Sequence, residues 1–357
     1  MSQGTLPNVV SKGKSFFVAD ANARLGSTGV RSFFVVVSKQ DRQQKNGGSF
    51  CSLRLSDRTG QCEAVIWDDA KPLVSPFAAG EIVAVEFDIS TYSGRTQLVI
   101  KRLRRAEQHE CALADFQPHT KLSVDELWTK LTGFVESFTD PFLQQLVRGF
   151  LDDPEVAAQL RAAPAAKALH HAWIGGLLEH IVSLLGLCDV VCPHYPHVHR
   201  DLVMTGAILH DIGKLEELRW NLNFEYTLEG QMLGHITLGI ASIERRIAAI
   251  PNFPPALRLM VEHIVLSHHG RYEFGSPKLP MTPEAILFHY LDDLDAKMFS
   301  VRTELERSAQ QGRGAAEMTE WVRSLERPLL DTQAFLKEAD AIKAPAEVTN
   351  DALPAEE

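Results

Sequence analysis

The feature that most constrains this chain is a change of hydrophobic period near residue 120. Before it, apolar and polar residues alternate with a period of two; after it they recur every 3.6 residues. No single layer of secondary structure satisfies both patterns, so the chain must build a β part followed by a helical part.

The β part covers residues 14–105. The runs "SFFVVVSKQ" (32–40), "FCSLRLSDRTGQCEAVIW" (50–67) and "GEIVAVEFDISTYSGRTQLVIKRLRR" (80–105) are β-branched and aromatic. Turn chemistry at Asp57–Gly60 and Tyr92–Arg95 predicts two hairpins. Four or five strands in so short a span fit a small closed barrel of the OB kind. The helical part opens with "SVDELWTKLTGFVESF", where Ser123 and Glu126 form a capping-box pattern. Helices are predicted at 141–151, 154–163, 168–191, 200–212, 231–248, 254–267, 281–309 and 315–340. The fold class is therefore multidomain, a small all-β OB-like barrel followed by an all-α domain. The expected boundaries are 1–110 for the barrel, 111–165 for a helical linker region, 166–340 for the main helical domain and 341–357 for a disordered acidic tail.

Composition narrows the function classes. A chain of 357 residues with 45% hydrophobic and 23% charged residues is ordinary for a globular protein of two or three domains. No run approaches the roughly 20 uninterrupted apolar residues of a membrane span, and the N-terminus lacks a basic-then-apolar signal pattern. Five scattered cysteines argue against a disulfide framework, and Cys188 and Cys192, one turn apart, read as buried thiols. The expectation is a cytoplasmic protein with no membrane partner. The net charge of −10 hides an asymmetry. Residues 1–108 carry 15 Lys and Arg against 10 Asp and Glu, about +5, which leaves 21 against 36, about −15, for the remainder. A basic barrel suits a polyanion, although a solvated face has the same composition.

Most of the 14 histidines fall between residues 170 and 289. His180 lies inside an apolar helix, and His210-Asp211 closes the next. His235 follows Gly234 in a third, His268-His269 closes a fourth, and Asp292, Asp293 and Asp295 lie in a fifth. One such residue is satisfied by hydrogen bonds alone. Five consecutive helices each delivering an imidazole or carboxylate from an apolar surface favour a shared divalent cation, for which these donors are suited.

The ordered set His180, His210-Asp211 and Asp292 resembles the HD superfamily of metal-dependent phosphohydrolases, and His235, His268 and His269 resemble its members with a second metal. The flanks "HHAWIGGLLEH" (170–180), "HDIGK" (210–214), "GHITLG" (234–239), "SHHGRYEFGSPKLP" (267–280) and "LDDLDAK" (291–297), behind an OB-like barrel, resemble the YhaM-type 3'-5' exoribonucleases. That resemblance implies a divalent-metal exonuclease acting on single-stranded RNA from the 3' end, with single-stranded DNA as a further candidate substrate. It implies two ions, manganese first, with magnesium, cobalt or iron as alternatives. In it Asp211 bridges the ions, His180, His210 and Asp292 complete one shell, and His235, His268 and His269 the other. Asp295 is the alternative to Asp292.

Two cations can grip a phosphodiester and activate water without a covalent nucleophile, and the motifs contain no nucleophile elbow. Lys214 is a candidate for contacting a phosphate oxygen or protonating the leaving 3'-oxygen; a helix-end lysine favoured by the dipole is the plainer alternative. His170 and His171 are candidate phosphate contacts. Arg271, Tyr272 and Lys278, with Phe274, place a substrate mouth after the histidine pair. In the barrel, Phe34, Trp67, Tyr92 and Arg95, with Lys101 and Arg102, are candidates for base stacking and phosphate tracking. Two rivals stand beside the exonuclease: an HD enzyme acting on a small nucleotide or cyclic dinucleotide, and a non-catalytic nucleic-acid-binding protein. A homo-oligomer is compatible with all three.

Overall fold

Strand propensity before residue 106 is realised as five strands in a computed structural model of the chain, which describes residues 14–43, 48–107, 109–112, 115–117, 119–166, 173–220 and 224–343. The strands are β1 (Val30–Gln43), β2 (Ser49–Asp57), β3 (Gly60–Trp67), β4 (Ile82–Tyr92) and β5 (Arg95–Arg105). They close in the order β1-β2-β3-β5-β4, with β3 and β5 parallel and the remaining pairs antiparallel. This is the Greek-key closure of an OB-type barrel. β1 serves both edges of the closure. Val30–Val35 pairs with β4 and Val35–Gln43 with β2, across a bulge between Val36 and Ser38 that bends the strand.

Both predicted hairpins form. Asp57 pairs with Gly60, and Tyr92 pairs with Arg95 across Ser93 (φ 50°) and Gly94 (φ 76°), the doubly left-handed turn that matches strand twist. Inside the barrel, Phe16, Phe34 and Phe87 meet edge to face with centroids 5.2–6.3 Å apart. Phe34 is fully buried there, so its expected role as a base-stacking platform gives way to a core role: alternation along β1 turns it inward.

The helices are α1 (Val124–Glu136), α2 (Pro141–Leu151), α3 (Pro154–Ala162), α4 (Gly176–Val191), α5 (Arg200–Leu209), the single turn α6 (Lys214–Glu217), α7 (Leu228–Ala248), α8 (Pro255–Ser267), α9 (Pro283–Gln310) and α10 (Thr332–Lys343). A short hairpin of β6 (Leu218–Trp220) and β7 (Phe224–Tyr226) separates α6 from α7. The starts are capped by the side chains the sequence offers: Ser123 accepts from Glu126 N, Asp140 from Phe142 and Leu143 N, and Asp153 from Glu155 and Val156 N.

Two helix predictions need correction. Of the helix predicted at 168–191, α4 forms from Gly176, since Gly175 sits at φ 78° and Ile174 pairs as an isolated bridge with His119; residues 167–172 lie outside the described residues. The predicted helix at 315–340 forms only from Thr332. Pro328 cannot donate to a helical ladder, and Thr319 N donates instead to Leu329 O at 2.8 Å, beside a Val322–Arg327 bridge.

α5 forms the centre of the bundle. Every residue from Asp201 to Leu209 is buried, and the helix packs against α4, α2 and α8. Its approach to α8 is close, because a Cβ on Gly206 would lie 2.6 Å from Ile264 Cγ2. Among the described residues, Gly176–His194 is the one helix long and apolar enough to cross a membrane; half of it is buried inside the fold, packed by α1, α3 and α5. Cys188 and Cys192 are free and buried on this element, and burial pushes both thiols up.

Two compact units emerge, Met1–Phe288 and His289–Glu357. The second holds most of α9, the irregular stretch around the Thr319–Leu329 bonds, and α10. Of the expected tail 341–357, residues up to Lys343 continue α10 and 344–357 lie outside the described residues.

Candidate metal centre

Two helix C-termini deliver the first ligands. His210 is the C-cap of α5 and His268 that of α8. The last turn of a helix leaves carbonyls without intrahelical donors. Here each imidazole turns back onto one of its own: His210 Nδ1 lies 3.1 Å from Ala207 O, and His268 Nδ1 2.7 Å from Val265 O. A carbonyl only accepts, so Nδ1 carries the proton in both rings and Nε2 presents a lone pair. Helix C-termini also concentrate partial negative charge, which favours a cation there.

Asp211, the residue after the α5 cap, is the common neighbour. Its Oδ2 lies 3.2 Å from His210 Nε2 and 2.5 Å from Lys214 Nζ; its Oδ1 lies 3.4 Å from His235 Nε2 and 3.9 Å from His268 Nε2. Burial pushes the Asp211 carboxyl up, but the Lys214 ammonium beside it opposes that most strongly, and the group is held well below the usual carboxylate range. It is therefore an anion in a water-poor site.

His180, from the buried face of α4, joins His210 and Asp211 in one potential ligand group, and His235, His268 and His269 form a second. In each group the donor atoms lie within 4.8 Å of one another. The histidine rings form a continuous chain, with centroids 5.4 Å apart for His180–His210, 5.0 Å for His210–His268 and 4.2 Å for His268–His269. Asp211 Oδ1 and His235 Nε2 are buried and make no hydrogen bond. Buried polar atoms without partners are costly, and nitrogen-rich donor sets with one carboxylate suit borderline divalent ions, so the residues fit a metal.

Backbone geometry assembles the second group. Gly213, in the turn after Asp211, packs directly on α7: a Cβ there would come within 2.0 Å of His235 O and 2.5 Å of Gly239 N. Gly234 breaks the α7 ladder at φ 72°, ψ 157°, and the freed His235 N–H donates to Glu217 Oε1 at 2.9 Å. His269 Nδ1 lies 2.8 Å from the Phe274 carbonyl, and burial holds this imidazole's pKa below the ordinary value.

The remaining candidates divide. Arg271, Tyr272 and Lys278 are exposed on the loop after His269, with the Arg271 guanidinium 5.8 Å from the Phe274 ring centre. Buried Ser276 pins that loop by donating to Lys278 O at 2.7 Å, with Leu266 O 3.1 Å from the same hydroxyl. Tyr92, 69% exposed, and Arg95 stand on the β4–β5 hairpin. Trp67 is half-buried against Phe50, with centroids 5.3 Å apart. Lys101 is exposed 3.5 Å from Asp88, and Arg102 is half-buried. His170 and His171 lie outside the described residues. Asp292 and Asp295 belong to the second compact unit, both half-buried on α9, where Asp293 pairs with Lys297 at 2.6 Å. The residue that sequence reading missed is Glu217. Its only signal was an acidic residue after "HDIGK", and exposed Glu216 beside it gives the same signal.

Imidazoles from successive helices gathered on one buried carboxylate, behind an OB-type barrel, define an HD-type phosphohydrolase, a class that implies a divalent metal; residues 177–297 match the HD domain family. The chain is 36% identical over 280 residues to the 3'-5' exoribonuclease YhaM of Bacillus velezensis and 35% identical over 279 residues to that of Bacillus subtilis, in each case covering 78% of this chain and 88% of the relative. The chain belongs to the YhaM family. The barrel is similar to the second OB-fold domain of replication protein A from Methanococcus maripaludis, at 20% identity and a TM-score of 0.20, covering 24% of this chain and 88% of that one.

Proposed function

We propose that this chain is a cytoplasmic, divalent-metal-dependent 3'-5' exoribonuclease that hydrolyses the phosphodiester bonds of single-stranded RNA and accepts single-stranded DNA. Residues 1–110 hold the strand, 111–165 link, and 166–340 carry the hydrolytic site. The observation that carries the reading is Asp211, an anion flanked by one ligand group containing His180 and His210 and by another containing His235, His268 and His269. Manganese is the first candidate for the ions, one on each group.

A divalent ion, when bound, would supply Lewis acidity toward the phosphate oxygens and activate water. The chain's own residues do the rest. Asp211 and the histidines hold their lone pairs toward one another in a buried site that excludes bulk water. Lys214 Nζ holds a proton 2.5 Å from Asp211 Oδ2 and is placed to give it to the leaving 3'-oxygen or to contact a phosphate oxygen. Arg271 and Lys278 attract the phosphate chain, and Tyr272 and Phe274 offer faces for bases. On the barrel, the β4–β5 loop is one of the two loops by which OB folds bind oligonucleotides, which supports Tyr92 and Arg95 as contacts to the nucleic-acid strand.

The test is a 5'-labelled single-stranded RNA incubated with Mn²⁺, with and without chelator. A metal-dependent ladder shortening from the 3' end, lost in His210→Ala and Asp211→Ala while circular dichroism shows the fold intact, is the expected result. Intact RNA beside a hydrolysed small nucleotide would replace this reading with a nucleotide hydrolase. RNA binding without turnover in any metal would replace it with a binding protein.

A further inference from the structure

We infer that Glu217 is a positioning residue that fixes the tautomer and orientation of His235 and so sets the metal affinity of the His235/His268/His269 group; this rests on the metal-centre reading proposed above. The first observation is a contrast. His210, His268 and His269 each set their Nδ1 against a neutral backbone carbonyl, whereas His235 Nδ1 faces a carboxylate, Glu217 Oε1, at 3.3 Å. Glu217 is buried, and the same Oε1 also accepts the His235 backbone N–H at 2.9 Å. One oxygen therefore holds His235 at both main chain and ring.

The contact is built in from both sides. The φ of 72° at Gly234 releases the His235 N–H from the helical ladder. Gly230 lets the first turn of α7 sit on Glu217, since a Cβ at 230 would approach Glu217 O to 2.3 Å. Thr227 N donates to Glu217 O at 2.9 Å, which fixes the backbone from which the carboxylate projects.

The consequence follows from proton placement. His235 Nε2 lies 3.4 Å from Asp211 Oδ1. A lone imidazole there would gain by putting its proton on Nε2 and donating to that carboxylate, which would remove the lone pair a metal needs. Glu217 competes for the proton at Nδ1 and leaves Nε2 as a donor atom toward a cation.

The experiment uses the full chain, stripped with chelator, with Mn²⁺ titrated by calorimetry and bound metal counted by elemental analysis. Glu217→Ala is expected to weaken one class of ion by about 10- to 100-fold, leaving the other class within about twofold of the unchanged protein. Glu217→Gln, which keeps an Oε1 acceptor, should restore most of that loss. In the metal-free chain with ¹⁵N-labelled histidine, long-range nitrogen–proton spectra should show His235 protonated on Nδ1, moving to Nε2 in Glu217→Ala. Thermal melts establish that the variants fold. Unchanged Mn²⁺ affinity and an unchanged His235 tautomer in folded Glu217→Ala would overturn this inference while leaving the metal centre standing. Absence of metal binding by the unchanged chain would overturn both.

Discussion

His269 and Phe274 are joined by a hydrogen bond from imidazole Nδ1 to carbonyl oxygen at 2.8 Å, which ties the candidate metal centre to the exposed loop that follows it. Tyr272 and Phe274 on that loop are 60% and 62% exposed, so ligand orientation and strand contact share one segment. Within it, the single turn Tyr272–Phe274 ends on Gly275 at φ 82°, where an added Cβ would meet nothing within 4 Å. Gly275→Ala therefore perturbs the loop through backbone conformation alone, at a cost of about 1–2 kcal/mol. Mn²⁺ affinity should fall by about tenfold as His269 loses a fixed partner, the low end of the losses seen behind metal-binding histidines. Tyr272→Ala should leave Mn²⁺ binding alone and weaken RNA binding. Calorimetric titration of both variants separates the effects, and equal Mn²⁺ affinity in all three proteins would dissociate loop from ligand.

Gly213 makes the tightest demand in the centre. No side chain fits between the turn after Asp211 and the backbone of α7, where a Cβ would stand 2.0 Å from His235 O. The neighbours are main chain and cannot swing aside, so the turn and α7 must separate. Gly213→Ala is expected to cost about 1–3 kcal/mol or more and to abolish binding at the group containing His235. A lowered melting temperature together with lost Mn²⁺ stoichiometry is the expected pair of readings. A variant that melts lower but binds metal normally would show that the two segments are not coupled.

Local chemistry made much of this legible in the sequence. The Asp57–Gly60 and Tyr92–Arg95 turns are dictated by residues within four positions, and the change of period separates barrel from bundle without tertiary information. The histidines were legible because they interrupt apolar runs, where a polar residue needs a reason. What was not legible depends on contacts between distant segments. The start of α4 is set by Ile174 pairing with His119, and the break before α10 by Thr319 reaching Leu329. Alternation along β1 marks two faces without saying which is inside, so Phe34 could be read as platform or core. Glu216 and Glu217 are indistinguishable until α7 folds over one of them.

The β4–β5 hairpin offers a test of strand binding that leaves the hydrolytic site untouched. Tyr92 is exposed at a tip whose Ser93-Gly94 turn holds it away from the core. Tyr92→Ala should remove a stacking contact of about 1–3 kcal/mol, read as a rise in KM for a long single-stranded RNA with kcat unchanged. Arg95→Ala should lower affinity less and flatten its dependence on salt. Neither should alter hydrolysis of a dinucleotide, and a matching loss on that short substrate would move these residues out of strand binding.

Asp201 predicts how the bundle responds to acid. It is buried at the start of α5, and its Oδ2 accepts from Thr139 N at 2.6 Å, Thr139 Oγ1 at 2.9 Å and Asp140 N at 2.9 Å. Burial raises the carboxyl, but the donors from Asp140 and Thr139, with Arg200, prevail and leave its pKa lowered. A pKa lower in the folded than in the unfolded chain means stability that is complete above the unfolded value of about 3.9 and is lost as pH falls through the folded one. Asp201→Asn removes the anion that these donors serve and can turn an amide N–H toward them, for about 1–3 kcal/mol at neutral pH. Urea unfolding from pH 7 to pH 3 should show the two proteins far apart at neutral pH and converging below about pH 4. A gap that stays constant over that range would mean that Asp201 acts through its shape and not its charge.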